Sequence, residues 1–313
     1  MSLKKVIWLV VGVIALLART SIAAEPAVGI MPYMLLAKAP STIDAVIPRL
    51  RVRLKNANFR VVGEYAPYPG AYLIAVTSDD LLNAAKKSKY GGMGAVMKIG
   101  LAQVGNEVQV MANNPEYIGI AYHMKDSLAE VKQSLRSIGY VKDFGGKGLS
   151  RKALLDYNYT FGLEKFGDFY ELATHRSYEA AVKEVEAGLR KQYMGIRKVY
   201  RVDIPGKQQT VFGISMNSDI KTHPFMNDKY LMDVMDFRPL KRLPYLPYEI
   251  LVNGKQVIAP HAHFRLAVYF PDLPMFGKHG FGRLMDLPYQ YEEYFTKLVG
   301  GIWPPPSDSY DNY

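Results

Sequence analysis

The order of elements in this chain starts over part-way along, after about 135 residues, a period too long for a solenoid and suited to duplication of a whole domain. In the first half Tyr33 to Ala39 (YMLLAKA) reads as a short strand. Ser41 or Thr42 can cap a helix on which Ile43, Ile47, Leu50 and Leu54 share a face. Pro48 would kink that helix and the alternation of Arg49, Arg51 and Arg53 reads like a strand, but the helical period covers more residues. Phe59 to Tyr65 and Ala71 to Thr77 read as strands, and Ser78 or Asp79 caps a short helix ending at Lys87. Val96 to Val104 and Glu107 to Ala112 flank Gly105-Asn106, a pair suited to a tight hairpin. A helical pattern then runs with interruptions from Tyr117 toward Ile138.

From Phe169 the order repeats. After a short strand, Ser177 caps a helix whose Tyr178, Val182, Val185 and Leu189 fall on Ile43, Ile47, Leu50 and Leu54. The same shift lays Ile196 on Val61 and Tyr200 on Tyr65; Thr210 to Met216 then parallels Ala71 to Thr77, and Asn253-Gly254 marks a second hairpin tip. The expected fold class is α+β, with two related compact domains, each a β-sheet covered by helices. Residues 25–145 and 149–300 are the expected domains, divided at the glycine-rich stretch Phe144 to Gly148, with a Pro-rich tail over 301–313.

Residues 1–24 read as a secretory signal peptide. Lys4 and Lys5 precede twelve apolar residues, Val6 to Leu17, and small residues follow at Ser21, Ala23 and Ala24. Twelve is short of the ~20 residues a membrane span needs. Once the leader is cleaved, the expectation is a soluble protein with no membrane span, and the periplasm is the expected compartment. The chain has no cysteine, which rules out disulfides, thiolate metal sites and cysteine-ligated clusters. Its formal charge is +10, of which Lys4, Lys5 and Arg19 belong to the leader. That balance fits affinity for anionic surfaces, and nucleic acid is not an expected partner. Gly91, Gly92 and Gly94 lack the spacing and the lysine of a phosphate-binding loop and read as a flexible turn.

Several stretches resemble a known group. NFRVVGEY runs through AYLIAVTSDDLLNAA to VGNEVQVMANNP, and LPYEILVNGKQV stands in the second half. These are similar to the domain of unknown function 302 family through Phe59, Val61, Val62, Glu64, Tyr65, Val104, Val108, Val110 and Pro115, and through Leu246, Pro247, Val252, Val257 and Pro260. The long insertion Asn217 to Leu243 departs from that pattern. The resemblance implies a small α+β fold with helices over a sheet, and no activity or catalytic residues.

The stretch Leu246 to Leu273 reads as a hairpin followed by a third strand, and it holds the only close pair of histidines, His261 and His263. Residues i and i+2 of a strand point to one side, so both imidazoles can reach one ion. Met275 or His279 is near enough in sequence to complete a copper or zinc site. No G-x-S-x-G elbow surrounds any serine. The adjacent Glu292 and Glu293 cannot face each other on a helix. Tyr245, Tyr248, Tyr269, Tyr289, Tyr291, Tyr294 and Phe295 read as core, or else as the lining of a pocket for a flat ligand. The functional expectation is an exported, non-enzymatic binding or accessory protein, taking a small ligand or protein partner in the second domain or between the two. The alternatives are a metal-binding protein using His261 and His263, and an enzyme with no motif visible in sequence.

Overall fold

The computed structural model describes residues 29–304; the expected leader and most of the Pro-rich tail lie outside them. Two antiparallel sheets account for the strands. The first contains β1 (Tyr33–Pro40), β2 (Arg60–Tyr65), β3 (Ala71–Thr77), β4 (Met97–Val104), β5 (Glu107–Asn113) and β6 (Lys142–Phe144), in the order β2-β3-β4-β5-β1-β6. The second contains β7 (Phe169–Thr174), β8 (Ile196–Asp203), β9 (Gln209–Met216), β10 (Tyr248–Asn253) and β11 (Gln256–Pro260), in the order β7-β11-β10-β9-β8. Reading β1 to β5 onto β7 to β11 in turn makes the two orders the same, with β6 an addition to the first. The fold class is therefore α+β, two helix-covered sheets built on one repeated plan.

The helices follow that plan. α1 (Ile43–Asn56) starts where Thr42 Oγ1 accepts the Ala45 N–H at 3.4 Å, and it buries Ile47, Leu50 and Leu54. Pro48 forgoes one backbone bond inside it. The alternating arginines lie on its outer side, where Arg51 pairs with Glu64 and Arg53 donates to the Ile138 carbonyl at 2.9 Å. α2 (Asp79–Lys87) is capped by Ser78. The Tyr117 to Ile138 pattern divides into α3 (Pro115–Ala121) and α4 (Ala129–Ile138), because Leu128 turns left-handed between them (φ 55°). After the short α5 (Arg151–Leu155), α6 (Tyr178–Lys191) repeats α1, capped by Ser177 and burying Val182, Val185 and Leu189. α7 (Asp228–Met235) repeats α2, α8 (Ala262–Tyr269) repeats α3, and α9 (Leu287–Leu298) closes the described chain.

The ladders correct the repeat in detail. A bulge separates Val61 from Gly63 on β2, and another separates Lys198 from Tyr200 on β8. Gly63 faces Ala75, and Tyr200 faces Gly213. Tyr200 thus falls on Gly63, not on Tyr65, and Ile196 falls on Phe59, not on Val61. A constant shift taken from the helices cannot register residues gained in the loop between helix and strand. The glycines of GGMG are likewise no flexible turn. They form a buried 3₁₀ turn, Gly91–Gly94, and a Cβ on Gly92 would come within 2.5 Å of Leu251 Cδ1 in the other half.

The two halves share one apolar core. Lys98 of β4 is paired in the ladder with Ala75, and Glu249 of β10 with Gly213, so the two occupy equivalent positions. They form an ion pair, each side chain 2% exposed. Arg265 of α8 binds the other oxygen of Glu249 and the Tyr245 carbonyl, with its guanidinium 4.2 Å from the Tyr248 ring centroid. Burial pushes the Lys98 ammonium down to about 8; Glu249 pulls it back and Arg265 adds to the fall. Tyr245, Tyr248, Tyr269, Tyr291 and Phe295 are buried core, whereas Tyr289 is exposed. No helix among the described residues is long and apolar enough to cross a membrane.

Candidate metal centre

The third strand expected after the hairpin is a helix. β11 ends at Pro260, and His261 takes the cap of α8 with φ −62° and ψ 143°. Every residue of α8 is buried, His263 and Arg265 included, so no exposed polar face sets a period that would separate helix from strand. His261 Nδ1 accepts the backbone N–H of His263 at 3.3 Å, as capping side chains do. The turn brings the two rings edge to face, centroids 5.2 Å apart, so the pair converges by capping geometry instead of strand alternation.

The third member is Glu164, 99 residues before His263 in sequence. It lies on the segment between α5 and β7, where Asp168 Oδ2 accepts the Lys165 N–H at 2.9 Å and Asn158 donates to the Leu163 carbonyl at 3.0 Å. Glu164 Oε2 is 2.8 Å from His263 Nδ1 and 3.3 Å from His261 Nδ1. One ligand atom from each of the three residues lies within 4.8 Å of the others. Tyr170 packs its ring 4.5 Å from His261 and its hydroxyl accepts the Ala262 N–H at 3.2 Å. Phe281 closes the far side 5.2 Å from His263, with Tyr159 stacked on it at 4.3 Å.

The polar atoms of this cluster are incompletely matched. His263 Nδ1 lies 2.8 Å from Glu164 Oε2, and its Nε2 is buried with no partner. His261 Nδ1 is already an acceptor, yet it faces a second acceptor, Glu164 Oε2. An imidazole nitrogen has one lone pair, so an ion held by His261 Nδ1 and Glu164 would replace the capping bond from the His263 N–H. Burial, partly offset by Glu164 and reinforced by His263, pushes His261 down to about 4, the neutral form that ligates metals. Burial works to raise Glu164, but the His263 hydrogen bond and nearby His261 outweigh it and hold the carboxyl below its usual range. A tetrahedral zinc with bonds of about 2.0–2.1 Å spans about 3.3 Å between ligand atoms, the His261–Glu164 separation.

The other half shows that the fold does not require these residues. Phe169 pairs with Pro260 as Tyr33 pairs with Asn113, so Asn114 and Glu116 of the first half stand where His261 and His263 stand in the second. There Glu116 binds Lys132 at 2.8 Å, and Asp143 lies 3.7 Å from the same ammonium. The first half fills its version of the site with a lysine; the second leaves two imidazoles and a carboxylate.

The remaining candidates go elsewhere. His279 Nδ1 donates to the Val234 carbonyl at 2.8 Å and its ring stacks on Phe237 at 4.5 Å, so Glu164 takes the place proposed for it. Met275 packs against the core. His123 and His175 bind the carbonyls of Leu155 and Val299 at 2.6 and 3.0 Å, and His223 its neighbour Thr222 at 2.9 Å. Between the halves, a cleft of about 220 Å³ is lined by Tyr65, Pro67, Arg197, Ser215 and Asp228 among others, below the ~300 Å³ at which ligand pockets begin. No family model, curated protein or solved structure matches this chain.

Proposed function

We propose that this protein binds one zinc-class divalent ion through Glu164, His261 and His263. The observation that carries the reading is the convergence of these three side chains, from two segments far apart in sequence, onto one spot with a bare imidazole nitrogen and facing acceptors. Two imidazoles and a carboxylate suit zinc better than copper(I), which favours sulfur donors. Three protein ligands leave the fourth tetrahedral position to water or to a donor atom of a small ligand. That gives the expected binding or accessory role a chemical form: recognition of a small anionic or carbonyl-bearing ligand through the bound ion. The leader-like pattern of residues 1–24 supports reading this as an activity of an exported protein, and the resemblance to the domain of unknown function 302 family names no competing one.

The test is competitive zinc titration against a chromophoric chelator on untagged protein. The wild-type chain and His279→Ala should each take up one ion per chain. His261→Ala/His263→Ala and Glu164→Gln should lose stoichiometric uptake while keeping the wild-type circular dichroism. Uptake by the double variant equal to wild type refutes the assignment.

A further inference from the structure

The contacts between the halves are reciprocal. Gly100 and Leu251 lie two residues beyond Lys98 and Glu249; Gly92 and Leu243 lie six residues before them. Leu251 occupies the space over Gly92, and Leu243 that over Gly100, where an added Cβ would fall 2.8 Å from the Leu243 Cβ. The equivalent edge strands β2 and β8 also meet, with the Val199 carbonyl against Gly63. Counting from the caps Asn114 and His261, Tyr117 matches Phe264 and Tyr122 matches Tyr269. Tyr122 packs on Phe264 at 5.6 Å, while Tyr117 donates to the Val268 carbonyl at 2.9 Å, beside Tyr269. Each patch touches its own counterpart, which is the signature of an isologous, two-fold interface, here between two parts of one chain.

In an isologous interface a residue on the axis meets its own copy. Lys98 and Glu249 are that residue in the two halves. We infer that the buried Lys98–Glu249 pair lies on a pseudo-two-fold axis and is a pairing code, committing the first half to a second half and barring it from another first half. If two first halves met, two Lys98 ammoniums would be buried face to face with no carboxylate. Nothing in the first half compensates, because Ile118 stands where the second half has Arg265. The first half is complete before the second during synthesis, so this is the half that meets copies of itself while its own partner is absent. The partner the surface fits is thus a copy of this fold carrying a carboxylate at the position of Glu249.

The test uses full-length chains refolded from denaturant, alone and mixed, with mass read by light scattering. Lys98→Glu buries two carboxylates in its own pairing, and Glu249→Lys buries two lysines beside Arg265. Co-refolded in equal amounts, the two variants should form a 1:1 complex of twice the single-chain mass, each half finding its opposite charge in the other chain. Wild type should stay at single-chain mass throughout. A mixture showing only the species that each variant gives alone overturns the inference. If neither variant nor the mixture folds, the swap Lys98→Glu/Glu249→Lys decides. It restores one carboxylate between two cations within a chain and should fold at single-chain mass; an unfolded swap overturns the inference.

Discussion

The buried cluster at the interface makes opposite demands on its two partners, and paired substitutions expose them. Lys98 and Arg265 share the single carboxylate of Glu249, and all three side chains are 2% exposed or less. Burial and Arg265 lower Lys98 from an ordinary 10.5 to about 8, so at pH 7 its ionised form costs about 3 kcal/mol relative to a lysine in water, at about 1.4 kcal/mol per tenfold. Lys98→Met keeps the stem, removes that cost and leaves Glu249 on Arg265, at the loss of one ion pair and of the 3.4 Å contact with the Tyr269 hydroxyl. It should fall between no change and about 2 kcal/mol of added stability. Glu249→Gln leaves two buried cations without an anion and should cost about 3–5 kcal/mol. The pH dependence follows. Above pH 8 folded Lys98 has released its proton while the unfolded chain still holds it, so wild type should gain stability as pH rises. Between pH 8 and 9.5 that gain is about 2 kcal/mol; it should be missing from Lys98→Met and so appear whole in the wild-type minus Lys98→Met difference. Reversible urea unfolding at several pH values reads both effects. A Lys98→Met variant that loses 3 kcal/mol or more, with no pH dependence in the difference, would refute the reasoning.

Further expectations can be measured the same way. Asp228 is buried, accepts the Met216 N–H at 3.1 Å and the Tyr65 hydroxyl at 3.3 Å, and has one oxygen with no partner. Burial raises it to about 7 against those bonds. Its contribution is therefore complete at acid pH and lost as pH climbs from about 4 to 7, by up to about 4 kcal/mol, so Asp228→Asn should stabilise the protein at pH 8 and flatten that decline. A Cβ on Gly63 would lie 2.2 Å from the Val199 carbonyl oxygen, and backbone cannot swing aside, so Gly63→Ala should cost about 1–3 kcal/mol; an unchanged Tm contradicts the close approach of β2 and β8. Leu251→Ala empties the space over Gly92 and should cost about 2–5 kcal/mol, whereas a loss under about 1 kcal/mol would mean the halves close around the gap. Zinc held at a hundred times its Kd should raise stability by about 2.7 kcal/mol, and a chelator should remove the gain; a calorimetric Tm that ignores both speaks against a folded-state site.

What the sequence showed and hid follows from the range of the interactions. Capping and helical periods are local, so Thr42, Ser78 and Ser177 marked real helix starts, and the alternation of two near-identical element orders exposed the repeat. The helix after β11 was hidden because Ala262 to Tyr269 is buried on every side, leaving no polar face to show a period. The histidines were found, but the reason they converge was misread, since capping by His261 depends on where β11 stops. Glu164 carried no local signal at all, standing in a segment without regular structure and reaching His263 only through the tertiary fold. Lys98 and Glu249 carry no local signal either; only the ladder registers reveal that they are the same position in the two halves.

The metal assignment is tested most directly by anomalous diffraction from zinc-soaked crystals on either side of the zinc absorption edge. The expected result is one strong peak per chain, about 2.0–2.2 Å from an imidazole nitrogen of His261, one of His263 and an oxygen of Glu164, with none at His279. A map with no peak at these three residues, or with its principal peak at another group, would contradict the assignment.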